Sequence, residues 1–429
     1  MRFMVAGVQS GCGKTSVTLA LMQALRARGL AVAPFKAGPD FLDPMWHAAV
    51  CGRPSYNLDT RMMDEDHVRA LFVSRSKAAD VSIVEGVMGL FDGADGVGGT
   101  GSSVHLARVL GIPVLLVVNA KGMSGSIAPL AAGFAERARG HGVTMKGVIA
   151  NHVGSERHAT LLAGLLEAEG LPPLVAWMGK DAPALPERHL GLVTPDEAAL
   201  PDFSASFHLE EGFFTAEARR TRSEVGDDMS AHVACSVSGR LRGKRIAVAR
   251  DAAFCFIYPA NLDWLRSEGA EITFFSPLAG EPVPAAADAL WLPGGYPELH
   301  LKRLSASPSL ASIRDFIEGE GPTLAECGGM MILGEAIDGM PMAGVLPCVF
   351  EMRDRLVALG YRVSSEGARG HEFHHSSRKP ATEARRHGGM RAAFDVSRGD
   401  RGMIYKKLRA SYIHWYFPGK PEEVASWFR

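Results

Sequence analysis

Two short segments of this chain hold residues whose types and spacing can do chemistry. Gly7 to Thr15 reads GVQSGCGKT, and Ala325 to Met330 reads AECGGM. In the first, the glycines let the backbone N–H groups of Gly11, Cys12, Gly13, Lys14, Thr15 and Ser16 approach phosphate oxygens. The start of the following helix favours the negative charge. Lys14 would reach the terminal phosphates of ATP, and the Thr15 hydroxyl would bind Mg²⁺. The spacing departs from the strict G-x-x-x-x-G-K-[ST] pattern by one residue between Gly7 and Gly13. A plain glycine turn is the alternative, but it gives no reason for Lys-Thr at a strand-to-helix junction.

Carboxylates stand where such a metal needs them. Glu85 ends the apolar run in VSIVEGVMGLFDG, with Asp92 in the loop beyond, and FKAGPDFLD adds Lys36, Asp40 and Asp43 after another run. Glu85 is expected to join Thr15 on Mg²⁺, a hard cation that takes oxygen ligands. The others would serve the metal or a substrate's reacting group; for any one alone, a helix cap or loop solvation is the alternative. Gly96 to Gly101 matches G-x-G-x-x-G but follows a polar loop instead of a strand, which argues against a dinucleotide site. A lid spanning Gly93 to Gly101 is the expectation there.

Cys327 follows the apolar PTLA and precedes two glycines, a strand-to-turn setting that exposes a nucleophile and aims N–H groups at a developing oxyanion. Gly328, with Gly294 and Gly295 of LPGGYPE, would build that hole. A cysteine nucleophile needs a base to raise its thiolate fraction. His414 in SYIHWYF is the candidate, with the cluster HEFHH (His371 to His375) as competitor. That cluster also resembles a metal tract, but no complementary ligand set accompanies it. The remaining cysteines, Cys12, Cys51, Cys235, Cys255 and Cys348, read as structural thiols. An ATP site plus a cysteine built for amide hydrolysis suggests amidation of a carboxylate with glutamine as nitrogen donor.

These loops need sheets behind them. Apolar runs at RFMVAGV, AVAPFKAG, VSIVEGV, PVLLVVN and GVIANHV alternate with helical patterns, which argues an α/β fold: a P-loop NTPase-type doubly wound parallel sheet. Ligands then belong at the strand C-termini. Residues 201–242 lose the pattern and read as an interdomain connection between a first domain at 1–200 and a second at 243–429. The second repeats the α/β rhythm through KRIAVARD, EITFFSP, DALWLPGG and PTLAECGG, with SYIHWYF as a late strand. At 429 residues two domains are the expectation. A formal net charge of −1 gives no reason to propose nucleic acid as a partner. No apolar run approaches the length of a membrane span, and cysteines without a CxxC pair fit a reduced, cytoplasmic enzyme.

The segments SGCGKTSVTLAL, PFKAGPDFLDP, YNLDT, VEGVMGLFDG, PERHLGL, VARDAAFCFIYPANLDWL, LPGGYPELH, AECGGMMILG, RGHEFHHS and SYIHWYF resemble, in order, those of the cobyrinic or hydrogenobyrinic acid a,c-diamide synthases. The resemblance runs from Ser10 to Phe417. It implies a dethiobiotin-synthetase-like ATP domain joined to a class I-type glutamine amidotransferase domain. The expected reaction is ATP- and Mg²⁺-dependent amidation of the a and c carboxylates of a corrin-ring tetrapyrrole, with L-glutamine as donor, in cobalamin biosynthesis. It assigns ATP and metal roles to Lys14, Thr15 and Glu85, makes Asp40, Asp43 and Asp92 candidates for substrate or intermediate handling, and gives Cys327 and His414 the nucleophile and base. The wider amidotransferase class often has glutamate two residues after the histidine; here that residue is Tyr416. A homodimer is an expectation of the same reading. Related tetrapyrrole amidotransferases, cobyric acid synthase or nickel-sirohydrochlorin a,c-diamide synthase, are the near alternatives. A partition-type nucleotide-switch ATPase is the distant one, and it would not need Cys327.

Overall fold

The computed structural model describes residues 1–93, 96–97, 99–188, 191–210, 212–214, 239–381 and 391–429. The chain divides into two compact units, Met1–Val233 and Ala234–Arg429. In the first, strands β1 (Arg2–Gly7), β2 (Val32–Ala37), β3 (Tyr56–Leu58), β4 (Val81–Gly89), β5 (Val114–Asn119), β6 (Met145–Val153), β7 (Leu174–Gly179) and β8 (Phe207–Leu209) form one sheet. Its order is β8-β7-β6-β5-β1-β4-β2-β3, and all neighbours are parallel except β8 with β7. The apolar runs are continuous because helices cover both faces of a parallel sheet. Phe3, Val5, Ile83, Leu115 and Val117 pack with Val17, Leu21 and Leu25 of helix α1 (Lys14–Ala27) into one buried cluster. Helix α2 (Leu42–Cys51) follows β2 and seats Trp46 in the same cluster.

In the second unit, β9 (Arg245–Ala249), β10 (Glu271–Phe275), β11 (Ala289–Leu292) and β12 (Thr323–Glu326) form a parallel set. Two-residue alternation sends Ala247, Leu290 and Ala325 into one core and Val248, Trp291 and Leu324 into another, so this sheet is buried on both faces. Strands β13 (Ala358–Val363) and β14 (Arg369–His374) lie outside it. Farther along, β15 (Leu408–Ser411) joins β12, and β16 (Ile413–Trp415) pairs with β14 in a separate three-stranded sheet.

Two expectations change. SYIHWYF is not one strand: the chain leaves the main sheet after Ser411 and enters the small sheet at Ile413, so His414 belongs to the latter. Nor is all of 201–242 a connection. Phe203 and Phe207 are buried in the first core, β8 extends that sheet, and Leu241 is buried in the second unit. A three-residue strand is too short for alternation to reveal. Cys235 and part of the Gly93 to Gly101 lid (residues 94, 95 and 98) lie outside the described residues. Among those described, Asp92–Gly93 pairs with Gly96–Val97 as an antiparallel hairpin.

Candidate active sites

The phosphate loop sits at the end of β1. Gly13 holds φ +86°, a left-handed conformation, and a Cβ there would come within 2.1 Å of Asn151 Nδ2. Both constraints make glycine obligatory. Asn151, at the end of β6, donates from Nδ2 to the Cys12 carbonyl at 3.0 Å and so fixes the loop from below. The Cys12 thiol is buried against Gly7, where a Cβ would lie 2.4 Å from Sγ. Helix α1 has no side-chain cap and no acidic residue in its first turn, which leaves its leading N–H groups for an anion. Lys14 reaches back to the Gln9 carbonyl at 3.5 Å, and burial lowers its pKa. Beside the loop, at the ends of β5, β6 and β7, a cleft of about 640 Å³ is lined by Lys121, Ser124, His152, His158, Lys180 and Asp181, among others.

Thr15 of the loop belongs to a buried charge cluster. Thr15 Oγ1 donates to Glu85 Oε1 at 2.8 Å and lies 3.3 Å from Asp43 Oδ2. Lys36 Nζ donates to Asp43 and, at 2.8 Å, to Glu85, and it sits 3.9 Å from Asp40. Burial works against the Lys36 charge, but Asp43, Glu85 and Asp40 outweigh it and raise the pKa. Burial likewise opposes the Glu85 charge, and Lys36 with His47 holds that carboxyl far below its ordinary range. For Asp43, burial and then Asp40 push upward. His47 is fully buried on α2, with Nε2 2.7 Å from Glu85 Oε2 and Nδ1 3.1 Å from Ser55 Oγ. An ionised carboxylate only accepts, so Nε2 carries the proton.

These donors suit Mg²⁺. No group of three or more His, Cys, Asp or Glu among the described residues is arranged to hold a metal alone. Mg²⁺ does not need one, since it is usually bound by one or two carboxylates together with phosphates and water. Thr15, Glu85 and Asp43 converge as hard oxygen donors beside a phosphate loop, and their carboxylates outnumber the single ammonium among them.

In the second unit Cys327 connects β12 to a single helical turn (Gly328–Met331), with φ +46° and ψ −110°. A non-glycine residue there is strained by about 1–3 kcal/mol, which marks functional turns. Glycines make room: a Cβ on Gly329 would meet the Leu292 carbonyl oxygen at 2.1 Å, and one on Gly328 would meet Pro297 Cδ at 2.7 Å. A Cβ on Gly294 would lie 2.2 Å from His414 Cε1 and 3.2 Å from Cys327 Cβ, so nucleophile and base meet over that residue. Burial pushes the Cys327 thiol up, Glu298 adds to this, and the Gly328 N–H opposes it. Burial lowers His414 to about 3, which keeps the imidazole neutral.

The strand bearing His414 is held from several sides. His371 of β14 pairs directly with His414 across the small sheet. Glu326, immediately before the nucleophile and fully buried, accepts from the Trp415 N–H at 2.9 Å and from Trp291 Nε1 at 3.0 Å. Asn261 Nδ2 donates to the Trp415 carbonyl at 2.8 Å. His374 is committed elsewhere, 3.0 Å from Glu372 Oε1 and stacked on Tyr412 with centroids 3.5 Å apart.

Residues 3–189 match the CobQ/CobB/MinD/ParA nucleotide binding domain, and residues 245–422 match the CobB/CobQ-like glutamine amidotransferase domain. Cobyrinate a,c-diamide synthase of Syntrophotalea carbinolica is 41% identical, over 98% of this chain and 96% of its own. Hydrogenobyrinate a,c-diamide synthase of Brucella ovis is 42% identical, over 96% of this chain and 97% of its own. That of Pseudomonas aeruginosa is 40% identical, over 99% and 96%. The chain belongs to the cobyrinate and hydrogenobyrinate a,c-diamide synthase family.

Membership makes it an ATP-dependent ligase of the glutamine amidotransferase type, and the partition-type alternative falls away. Of the residues expected to act in a member of this family, Thr15, Lys36, Asp43 and Glu85 form one cluster, with Asp40 at its edge. Asp40 also accepts from the Leu42 and Asp43 N–H groups, capping α2. Asp92 turns to the Gly89 N–H at 2.8 Å. His47, Ser55, Asn151 and Glu326 escaped the motif reading. His47 had a signal: it lies four residues after Asp43, on the same face of a helix.

Proposed function

We propose that the chain amidates the a and c carboxylates of a hydrogenobyrinate or cobyrinate ring through acyl phosphates, using ammonia released from glutamine. The relatives' shared name and the presence of both chemistries support the reading; the single observation that carries it is the meeting of Cys327 and His414 over Gly294.

The phosphates of ATP lie on the N–H groups of Gly11 to Ser16 and on Lys14, and the base takes the cleft at the ends of β5 to β7. Thr15 and Glu85, with Asp43, would hold Mg²⁺, which when bound neutralises charge on the transferring phosphoryl group. Lys36 keeps its charge among carboxylates and steadies the anionic oxygens as the γ-phosphoryl passes to the ring carboxylate. Asp40 orients α2 and thereby Asp43. In the second unit His414 takes the Cys327 proton as sulfur attacks the glutamine side-chain amide, then delivers it to the leaving ammonia. The Gly295 and Gly328 N–H groups receive the oxyanion. Water hydrolyses the resulting glutamyl thioester, and ammonia displaces phosphate from the acyl phosphate.

The test is to supply ATP, Mg²⁺ and glutamine with hydrogenobyrinic acid and cobyrinic acid in parallel, counting added amides by mass spectrometry. Two amides on one ring, lost in Cys327→Ala unless free ammonia is added, is the expected result. Retained glutamine hydrolysis with no amide on either ring would overturn the substrate assignment.

A further inference from the structure

Strand β4 does not run straight into its loop. It pairs with β1 at Val5–Glu85 and again at Gly7–Gly89, so Ala6 on one strand faces Gly86, Val87 and Met88 on the other. Such bulges re-aim side chains beside active sites. Met88 takes φ +50°, a left-handed conformation that an unbranched apolar residue adopts only under constraint, and it is 44% exposed. The constraint is visible on both sides. Ser103 Oγ accepts from the Val87 N–H at 2.9 Å and donates to the Val87 carbonyl at 3.0 Å, while Asp92 Oδ2 accepts from the Gly89 N–H at 2.8 Å. Neighbouring glycines permit the packing: a Cβ on Gly86 would meet Ser103 Oγ at 2.7 Å, and one on Gly89 would meet Asp92 Oδ2 at 2.7 Å.

A residue this exposed fills no core, and glycine would hold the same backbone without strain. The bulge therefore displays a methionine side chain three residues beyond Glu85 and one before the strand pairs with the phosphate loop at Gly7. A long, polarizable thioether chain suits a large, irregular apolar surface.

We propose that Met88 is a recognition residue for the macrocyclic acid, packing on an apolar face of the ring while its carboxylate points toward the phosphate loop beyond Gly7. Asp92 and Ser103 act as positioning residues for it. The inference rests on the reading of the chain as a macrocycle amidating enzyme.

The test is steady-state kinetics of Met88→Ala, Met88→Gly and Met88→Leu with the ring that the wild-type protein amidates. The expected result is a KM for the ring raised about tenfold in the Ala and Gly variants and largely restored by Leu, with the KM for ATP and glutamine hydrolysis unchanged. Met88→Gly should melt no lower than wild type, because the strain is relieved. A ring KM unchanged in the Ala and Gly variants, or one that rises in step with the KM for ATP, would overturn the proposal. A wild-type protein that amidates neither ring would instead bring down the underlying reading, and this inference with it.

Discussion

Cys327 and His414 share the space over Gly294: a Cβ added there would stand 2.2 Å from His414 Cε1 and 3.2 Å from Cys327 Cβ. The missing side chain is the gap between nucleophile and base. Gly294→Ala should therefore push the imidazole off its line to the thiol. Displacements of this size cost roughly 10²-fold in rate. Amidation from glutamine is expected to fall by about that factor, while amidation from added ammonia stays at the wild-type rate. Equal loss from both nitrogen sources would mean that the substitution acts beyond the glutamine site.

Five strands of the first sheet, β1, β2, β4, β5 and β6, were legible because each is carried by an apolar run ended by glycine or a polar residue, as in PVLLVVN before Ala120; β3, β7 and β8 were not. The cluster at Thr15, Lys36, Asp43 and Glu85 was legible in part, since Lys36 and Glu85 stand near the C-terminal ends of apolar strands and Thr15 and Asp43 follow in the next segment, and strand C-termini share one edge. What stayed hidden depends on contacts between distant segments. His47 is marked in the sequence only by its place four residues after Asp43; that it meets Glu85 appears once α2 is folded. Glu326 lies in plain view beside Cys327, but its partners Trp291 and Trp415 are 35 and 89 residues away. The turn at Tyr412 that moves His414 into another sheet leaves no mark in the apolar pattern of SYIHWYF.

His47 should behave as an outer support for the metal carboxylate. It orients Glu85 from behind while Ser55 fixes the ring. Removing such partners costs 10–100-fold in metal affinity as an order of magnitude. The Mg²⁺ concentration giving half-maximal nucleotide binding is expected to rise by about that factor in His47→Ala, measured with a fluorescent ATP analogue. His47→Gln should recover part of the loss. A Mg²⁺ dependence identical to wild type would remove His47 from this role.

Lys36 is 4% exposed among Asp43, Glu85 and Asp40. Deleting one partner of a buried ionic cluster leaves uncompensated charge and costs about 3–5 kcal/mol. Lys36→Met should lower unfolding stability in denaturant by that order, and Lys36→Met with Asp43→Asn should lower it less, because one orphaned charge is gone. Losses that simply add would show that the two residues are not coupled.

The second unit should respond to pH through groups of opposite sign. Burial raises Glu326 from its ordinary 4.5 to about 8, although the Trp415 and Trp291 N–H groups pull it down. The folded state therefore holds a proton that the unfolded chain releases, and this contribution is full below 4.5 and is lost as pH rises through about 8. Burial lowers His371 from 6.5 to about 4 and His414 from 6.5 to about 3. There the unfolded chain binds the extra protons, so stability falls as pH drops below 6.5. Between 6.5 and 8 the Glu326 effect stands apart from both histidines. Thermal unfolding of the unit should move to lower temperature across that window, and Glu326→Gln, which keeps an acceptor for the Trp415 N–H without a titrating proton, should flatten the dependence. A slope that survives in Glu326→Gln would have to come from another group.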